Sequence, residues 1–148
     1  MTPPDAGEAV VIRKRIAATR DEVFKAWTDA DGMRSWMCPG DTLSAVVELD
    51  LRVGGALRIV MQSATESFEH RGEFVAVQPP AKLAFTWSAK ATGFRPTLVT
   101  VDFIEAEDGH CDLVLTHERL PRPDVKDQYR GGWDQIVTRL ARFLQDQR

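Results

Sequence analysis

The sequence predicts one α+β domain, a curved antiparallel sheet gripping a long C-terminal helix around an apolar cavity. Three observations carry that prediction. A strand-like run followed by a capped helix opens the chain. Strand-like runs separated by turn residues then fill residues 43–119. The closing segment has an apolar stripe with gaps of three and four, the mark of an amphipathic helix laid on a sheet. Consecutive short strands describe an antiparallel meander, and one helix covers its packed face.

The elements follow in order. Residues 8–16 alternate in part and are rich in β-branched side chains, so they form a strand. Within it, Arg13-Lys14-Arg15 reads as two solvated outer positions and an edge charge. Thr19-Arg20-Asp21-Glu22 is a Thr-x-x-Glu capping box. The helix it opens places Val23, Phe24, Ala26 and Trp27 near one face and runs out near 29–32. A short helical piece at 33–37 follows, and Pro39-Gly40 breaks it.

Six strands are expected near 43–51, 56–62, 69–77, 82–89, 97–105 and 111–119. Gly54-Gly55, the stretch 63–67, Pro79-Pro80, Thr92-Gly93 and Asp108-Gly109 supply the turns between them. Alternation puts Leu83, Phe85 and Trp87 on one face, with Val99, Val101 and Phe103 and then Leu113, Leu115 and His117 beside them. Lys82, Thr86, Ser88, Asp102, Asp112 and Glu118 take the wetter face.

The last helix, 124–147, would span roughly 33 Å. Its stripe is Val125, Tyr129, Trp133, Ile136, Val137, Leu140, Phe143 and Leu144. Gly131-Gly132 lies inside it, and each glycine costs about 1 kcal/mol against alanine there. Two in a row point to a crowded crossing beside Trp133, or else to a break between two helices.

Composition narrows the function classes. The 148 residues suit one domain, expected over 8–148 after a flexible N-terminus of residues 1–7. Net charge is −3, from 19 basic and 22 acidic side chains, which argues against a nucleic-acid partner. Cys38 and Cys111 have no zinc spacing with His70, His110 or His117 and read as unrelated reduced thiols; His70 and His110, beside turns, read as solvent-exposed. The N-terminus lacks a secretory signal, and no apolar run approaches the roughly 20 residues that span a bilayer. A soluble cytoplasmic protein is expected, with no metal, cofactor or membrane partner.

Several stretches together resemble a known family. Val23-Phe24-Lys25-Ala26-Trp27-Thr28-Asp29, then Trp36 and Pro39, look like its first-helix signature. Asp50-Leu51-Arg52-Val53-Gly54-Gly55 resembles its "DLRxGG" turn. Gly72-Glu73-Phe74, Lys82-Leu83, Phe85-Thr86-Trp87, Leu113 to His117, Leu120-Pro121 and Gly132-Trp133 resemble its later strands and closing helix. The family is that named after the activator of the heat-shock-protein-90 ATPase, within the START-like, polyketide-cyclase-like superfamily. The resemblance covers about residues 8–147. It implies a helix-grip fold: a seven-stranded antiparallel sheet wrapped around the C-terminal helix, with two short helices after strand 1. The family's eukaryotic namesake carries a further N-terminal chaperone-binding domain. Residues 1–7 leave no room for one, so its ATPase-activating role is not expected to transfer. Relatives in the superfamily bind lipids, sterols and polyketides, and a few catalyse cyclisation or hydrolysis; the shared fold does not choose among these.

The candidate ligand-binding residues are Trp36, Leu57, Ile59, Met61, Phe85, Trp87, Phe103, His117 and Trp133. Each is also a natural core residue. On the packed face His117 could bond a ligand carbonyl or shuttle a proton, or be satisfied by backbone or by the final helix. Glu73 has ambiguous parity. If Val75 and Val77 face inward so does Glu73, and it could pair with His117 as acid and base. Otherwise it forms a surface ion pair.

Three readings result. The first is a protein that binds a small hydrophobic or amphipathic ligand between sheet and helix. The second is a chaperone-associated or other interaction module. The third is a cyclase- or hydrolase-type enzyme using His117 and Glu73. An exposed strand edge or the outer face of the last helix leaves room for a homodimer.

Overall fold

The computed structural model describes residues 7–147, so the expectation of a flexible N-terminus falls almost wholly outside the described residues. The first strand, β1 (Glu8–Ile16), leads into helix α1 (Arg20–Thr28). Thr19 caps it as the sequence predicts. The Glu22 amide donates to Thr19 Oγ1 at 3.2 Å, and the Thr19 amide donates to Glu22 Oε1 at 3.1 Å. Val23, Phe24, Ala26 and Trp27 form its buried face. Helix α2 (Ala30–Trp36) starts three residues earlier than expected, directly after α1, and buries Met33 and Trp36.

The meander comprises β2 (Ser44–Leu49), β3 (Ala56–Gln62), β4 (Ser67–Gln78), β5 (Lys82–Trp87), β6 (Thr97–Glu105) and β7 (Cys111–Leu120). The strands make one sheet in the order β1-β7-β6-β5-β4-β3-β2, and every neighbouring pair is antiparallel. β1 lies against the last strand and β2 forms the other edge. Helix α3 (Pro123–Asp146) closes the chain as 24 unbroken residues, so Gly131-Gly132 does not divide it. One apolar cluster fills the space between sheet and helices. The expected stripe supplies α3's share, with Val125, Trp133, Ile136, Val137, Leu140 and Leu144 buried.

The sheet turns a corner at β4. The first half of this strand pairs with β3 and the second half with β5. Gly72 sits at the corner, where a Cβ would overlap the Thr86 carbonyl oxygen. The Glu73 amide donates to Thr86 Oγ1 at 2.9 Å, in place of a ladder bond. A register irregularity between Phe74 and Ala76 then switches the faces. Phe74 is buried and Val75 is exposed, so Glu73 points to solvent. This settles the parity left open by the sequence.

Candidate functional site

Most of the expected lining is core. Trp36, Leu57, Ile59, Phe85 and Phe103 are buried in the apolar cluster. The Trp36 ring stands edge-on to Trp27 at 5.0 Å, and Phe103 edge-on to Phe24 at 5.3 Å. None of these five lines the larger cavity beside α3, although Leu57 borders a smaller one of about 480 Å³ among residues 48–50, 56–58 and 71–72.

His117 is fully buried and hydrogen-bonded at both ring nitrogens. Trp133 Nε1–H donates to its Nδ1 at 2.9 Å. An indole nitrogen can only donate, so Nδ1 is bare and the proton sits on Nε2. Nε2–H therefore donates to Thr97 Oγ1 at 2.7 Å, and the Thr97 hydroxyl donates to the Trp87 carbonyl at 2.6 Å. Trp87 Nε1–H in turn donates to the Tyr129 hydroxyl at 3.2 Å. This chain of bonds ties β5, β6 and β7 to α3. Burial, with a smaller contribution from His70, pushes the His117 pKa down to about 3. The imidazole is a neutral strut.

The expected His117–Glu73 acid/base pair is therefore not assembled. One side chain is buried and saturated, the other is exposed on the far side of the β4 corner.

The larger cavity, of about 870 Å³, opens at the N-terminal half of α3. Its floor includes Met61, Trp87, Trp133 and Ile136, all buried, with the half-buried His70 and Tyr129 beside them. Met61, Trp87 and Trp133 are the expected ligand residues that border it. Around the rim stand the α2–β2 loop (39–42), Phe68 and Glu69 of β4, the β5–β6 loop (89–91 and 94), and residues 127–129 and 131–132 of α3.

These walls are braced. The Gly40 amide donates to Gln135 Oε1, and Arg139 donates to the Gly40 carbonyl at 3.0 Å, pinning the α2–β2 loop to α3. In the β5–β6 loop the buried Thr92 hydroxyl accepts from the Ala89 amide at 3.1 Å and lies 2.9 Å from the Arg95 carbonyl. That loop holds Phe94 at φ +60° and 71% exposed. Phe68, 41% exposed, stands on the same cavity.

Polar groups converge on the cavity as well. The Tyr129 hydroxyl accepts from Trp87 and has no acceptor of its own among the described residues, which leaves its proton for a bound molecule. His70 stacks on Trp87 with ring centres 4.7 Å apart, and burial lowers its pKa. It is not the solvent-exposed group its position beside a turn suggests.

Several of these residues escape sequence reasoning. Tyr129 is legible only as one position of the helical stripe. Phe68 and Phe94 fall between the expected turns at 63–67 and 92–93 and the strands that follow them, where no element was assigned. Thr97 carried a usable signal: it shares parity with Val99 and Val101, which marks a polar group on the packed face of the strand next to His117.

Among the described residues no group of three or more His, Cys, Asp or Glu could hold a metal ion. No helix there is long and apolar enough to cross a membrane. Cys38 and Cys111 are both free and buried.

Comparison with known proteins agrees with this architecture. A solved protein from Chromobacterium violaceum superposes with a TM-score of 0.80 at 20% identity, over 92% of this chain and 96% of that one. One from Nitrosomonas europaea gives 0.79 at 19% identity, over 99% and 98%. An HSP90 activator from Plasmodium falciparum gives 0.75 at 25% identity, over 93% and 96%. No curated protein matches the sequence. Residues 17–145 match the family described as "Activator of Hsp90 ATPase homolog 1-like protein". The match spans most of the domain, from just after β1 to the last turn of α3, and the chain belongs to that family.

Proposed function

We propose that this protein binds a small apolar or amphipathic molecule in the cavity beside α3, and that it does so without catalysis. The observation that carries this reading is the cavity itself. It has the volume of a small-molecule site, aromatic and apolar side chains in its floor beside the Tyr129 hydroxyl, and polar side chains around its rim. The lining residues include Asp41, Glu69 and Asp127 against Lys90. Arg71 and Arg58 pair with the Glu69 carboxylate and offset its charge, which leaves Asp41 and Asp127 against Lys90. This balance favours a neutral or cationic ligand over an anionic one.

Native mass spectrometry of the freshly isolated protein, repeated after denaturation, tests the reading. The expected result is an added mass of a few hundred daltons that is lost on unfolding. A chain that leaves the cell bare and takes up no apolar compound from a screening panel contradicts it.

A second reading has its own support. The HSP90 activator from Plasmodium falciparum shares this fold over nearly its whole length. An interaction domain serving a chaperone would work through its surface. Purified Hsp90 would then co-elute with this protein, and substitutions in the cavity would leave that association unchanged.

A further inference from the structure

Three features around the cavity are locally unfavourable. Gly131 and Gly132 stand in mid-helix, where alanine would serve better. Neither has a positive φ. The sequence suggests that they make room for a crowded crossing, but nothing crowds them. A Cβ at Gly131 would have no atom within 4 Å, and one at Gly132 would only touch Pro39 Cβ at 4.0 Å. The third feature is Phe94, a bulky side chain in the left-handed region, 71% exposed and following Gly93 at φ +66°. All three residues to which these features belong, Gly131, Gly132 and Phe94, border one cavity. Departures from local preference that gather at one place mark function more often than packing.

We propose that the bare backbone of Gly131 and Gly132 is the seat for the flat face of the ligand, and that Phe94 is its cover. A planar ring system can lie at van der Waals distance from a helix backbone only where no Cβ stands in the way. The ligand class is therefore a flat, multi-ring molecule, neutral or cationic, whose acceptor atom can meet the Tyr129 hydroxyl. Binding buries the Phe94 ring that the free protein exposes. The seat rests on the ligand reading above, and the test separates the two.

Nile red, a neutral planar polycycle, is titrated into the wild type and into Gly131→Ala, Gly132→Ala, Phe94→Ala and Thr138→Ala, and each variant is melted without the probe. Thr138 lies on α3 away from the cavity and controls for helix propensity. Saturable one-to-one binding by the wild type is expected. Each glycine variant should melt roughly 2–4 °C higher yet bind the probe about tenfold more weakly. Phe94→Ala should also bind more weakly, and Thr138→Ala should bind as the wild type does. If the wild type binds and the glycine variants bind equally well, the seat is wrong and the ligand reading stands. Glycine variants that melt lower than the wild type also overturn the seat, since the glycines would then serve packing. A wild type that binds no probe overturns both.

Discussion

His117 gives the structure a pH dependence whose size follows from its surroundings. In the folded protein the ring is neutral, with Nδ1 already accepting from Trp133. A proton added there would set two N–H groups against each other inside the core. Burial, with a smaller contribution from His70, puts the folded pKa at about 3, against an ordinary value of 6.5. Above pH 6.5 neither the folded nor the unfolded chain holds the proton, and the contribution is fully present. Below 6.5 the unfolded chain takes up a proton that the folded chain refuses, so stability falls until the pH passes about 3. From pH 7.5 to pH 5 the loss from this residue is about 2 kcal/mol. His70, also lowered by burial, acts in the same direction. Urea unfolding at the two pH values measures the total, and His117→Gln isolates the residue. The pH-dependent loss should be smaller in the variant by about 2 kcal/mol. A folded-state His117 titration near pH 6.5, read from its ring proton shifts, would refute the neutral strut.

Other substitutions probe the same frame. Thr97→Val removes the acceptor for His117 Nε2–H and should cost about 1–3 kcal/mol in urea unfolding, because a buried donor is left unpaired. Gly72→Ala drives a methyl into the Thr86 carbonyl at the β4 corner and should destabilise by about 3 kcal/mol, visible as a lowered melting temperature. Burial raises the pKa of Cys38 and lifts that of Cys111 to about 11, so neither thiol should react with a disulfide reagent at pH 7.5 until the protein is unfolded.

Periodicity carried the fold because each element declares its buried face locally. Leu83, Phe85 and Trp87 alternate cleanly, and the observed strand buries all three. The α3 stripe continues through its glycines because the tertiary contacts of Val125, Trp133 and Leu140 hold the helix where propensity alone would not. The β4 corner was not legible, since it depends on a meeting between Gly72 and Thr86 that only the folded sheet creates. The site was legible in part for the same reason. Hydrophobic character cannot separate Trp36, which fills the core, from Trp133, which also borders the cavity. That difference is set by where α2 and α3 leave space. His117 shows the converse. Its inward direction followed from parity, but its saturation required Thr97 and Trp133 to arrive from two other elements.

The central claim is that the cavity floored by Trp87 and Trp133 receives a small molecule. The four tryptophans offer a direct reading, because each indole N–H gives its own resonance in a nitrogen–proton spectrum. Trp87 and Trp133 border the cavity, whereas Trp27 and Trp36 face one another in the core with unpaired indole N–H groups. Addition of the co-purified ligand, or of Nile red, should shift the signals of Trp87 and Trp133 and leave those of Trp27 and Trp36 in place. Binding that moves none of the four, or that moves the Trp27 and Trp36 pair instead, would place the ligand elsewhere and contradict the account.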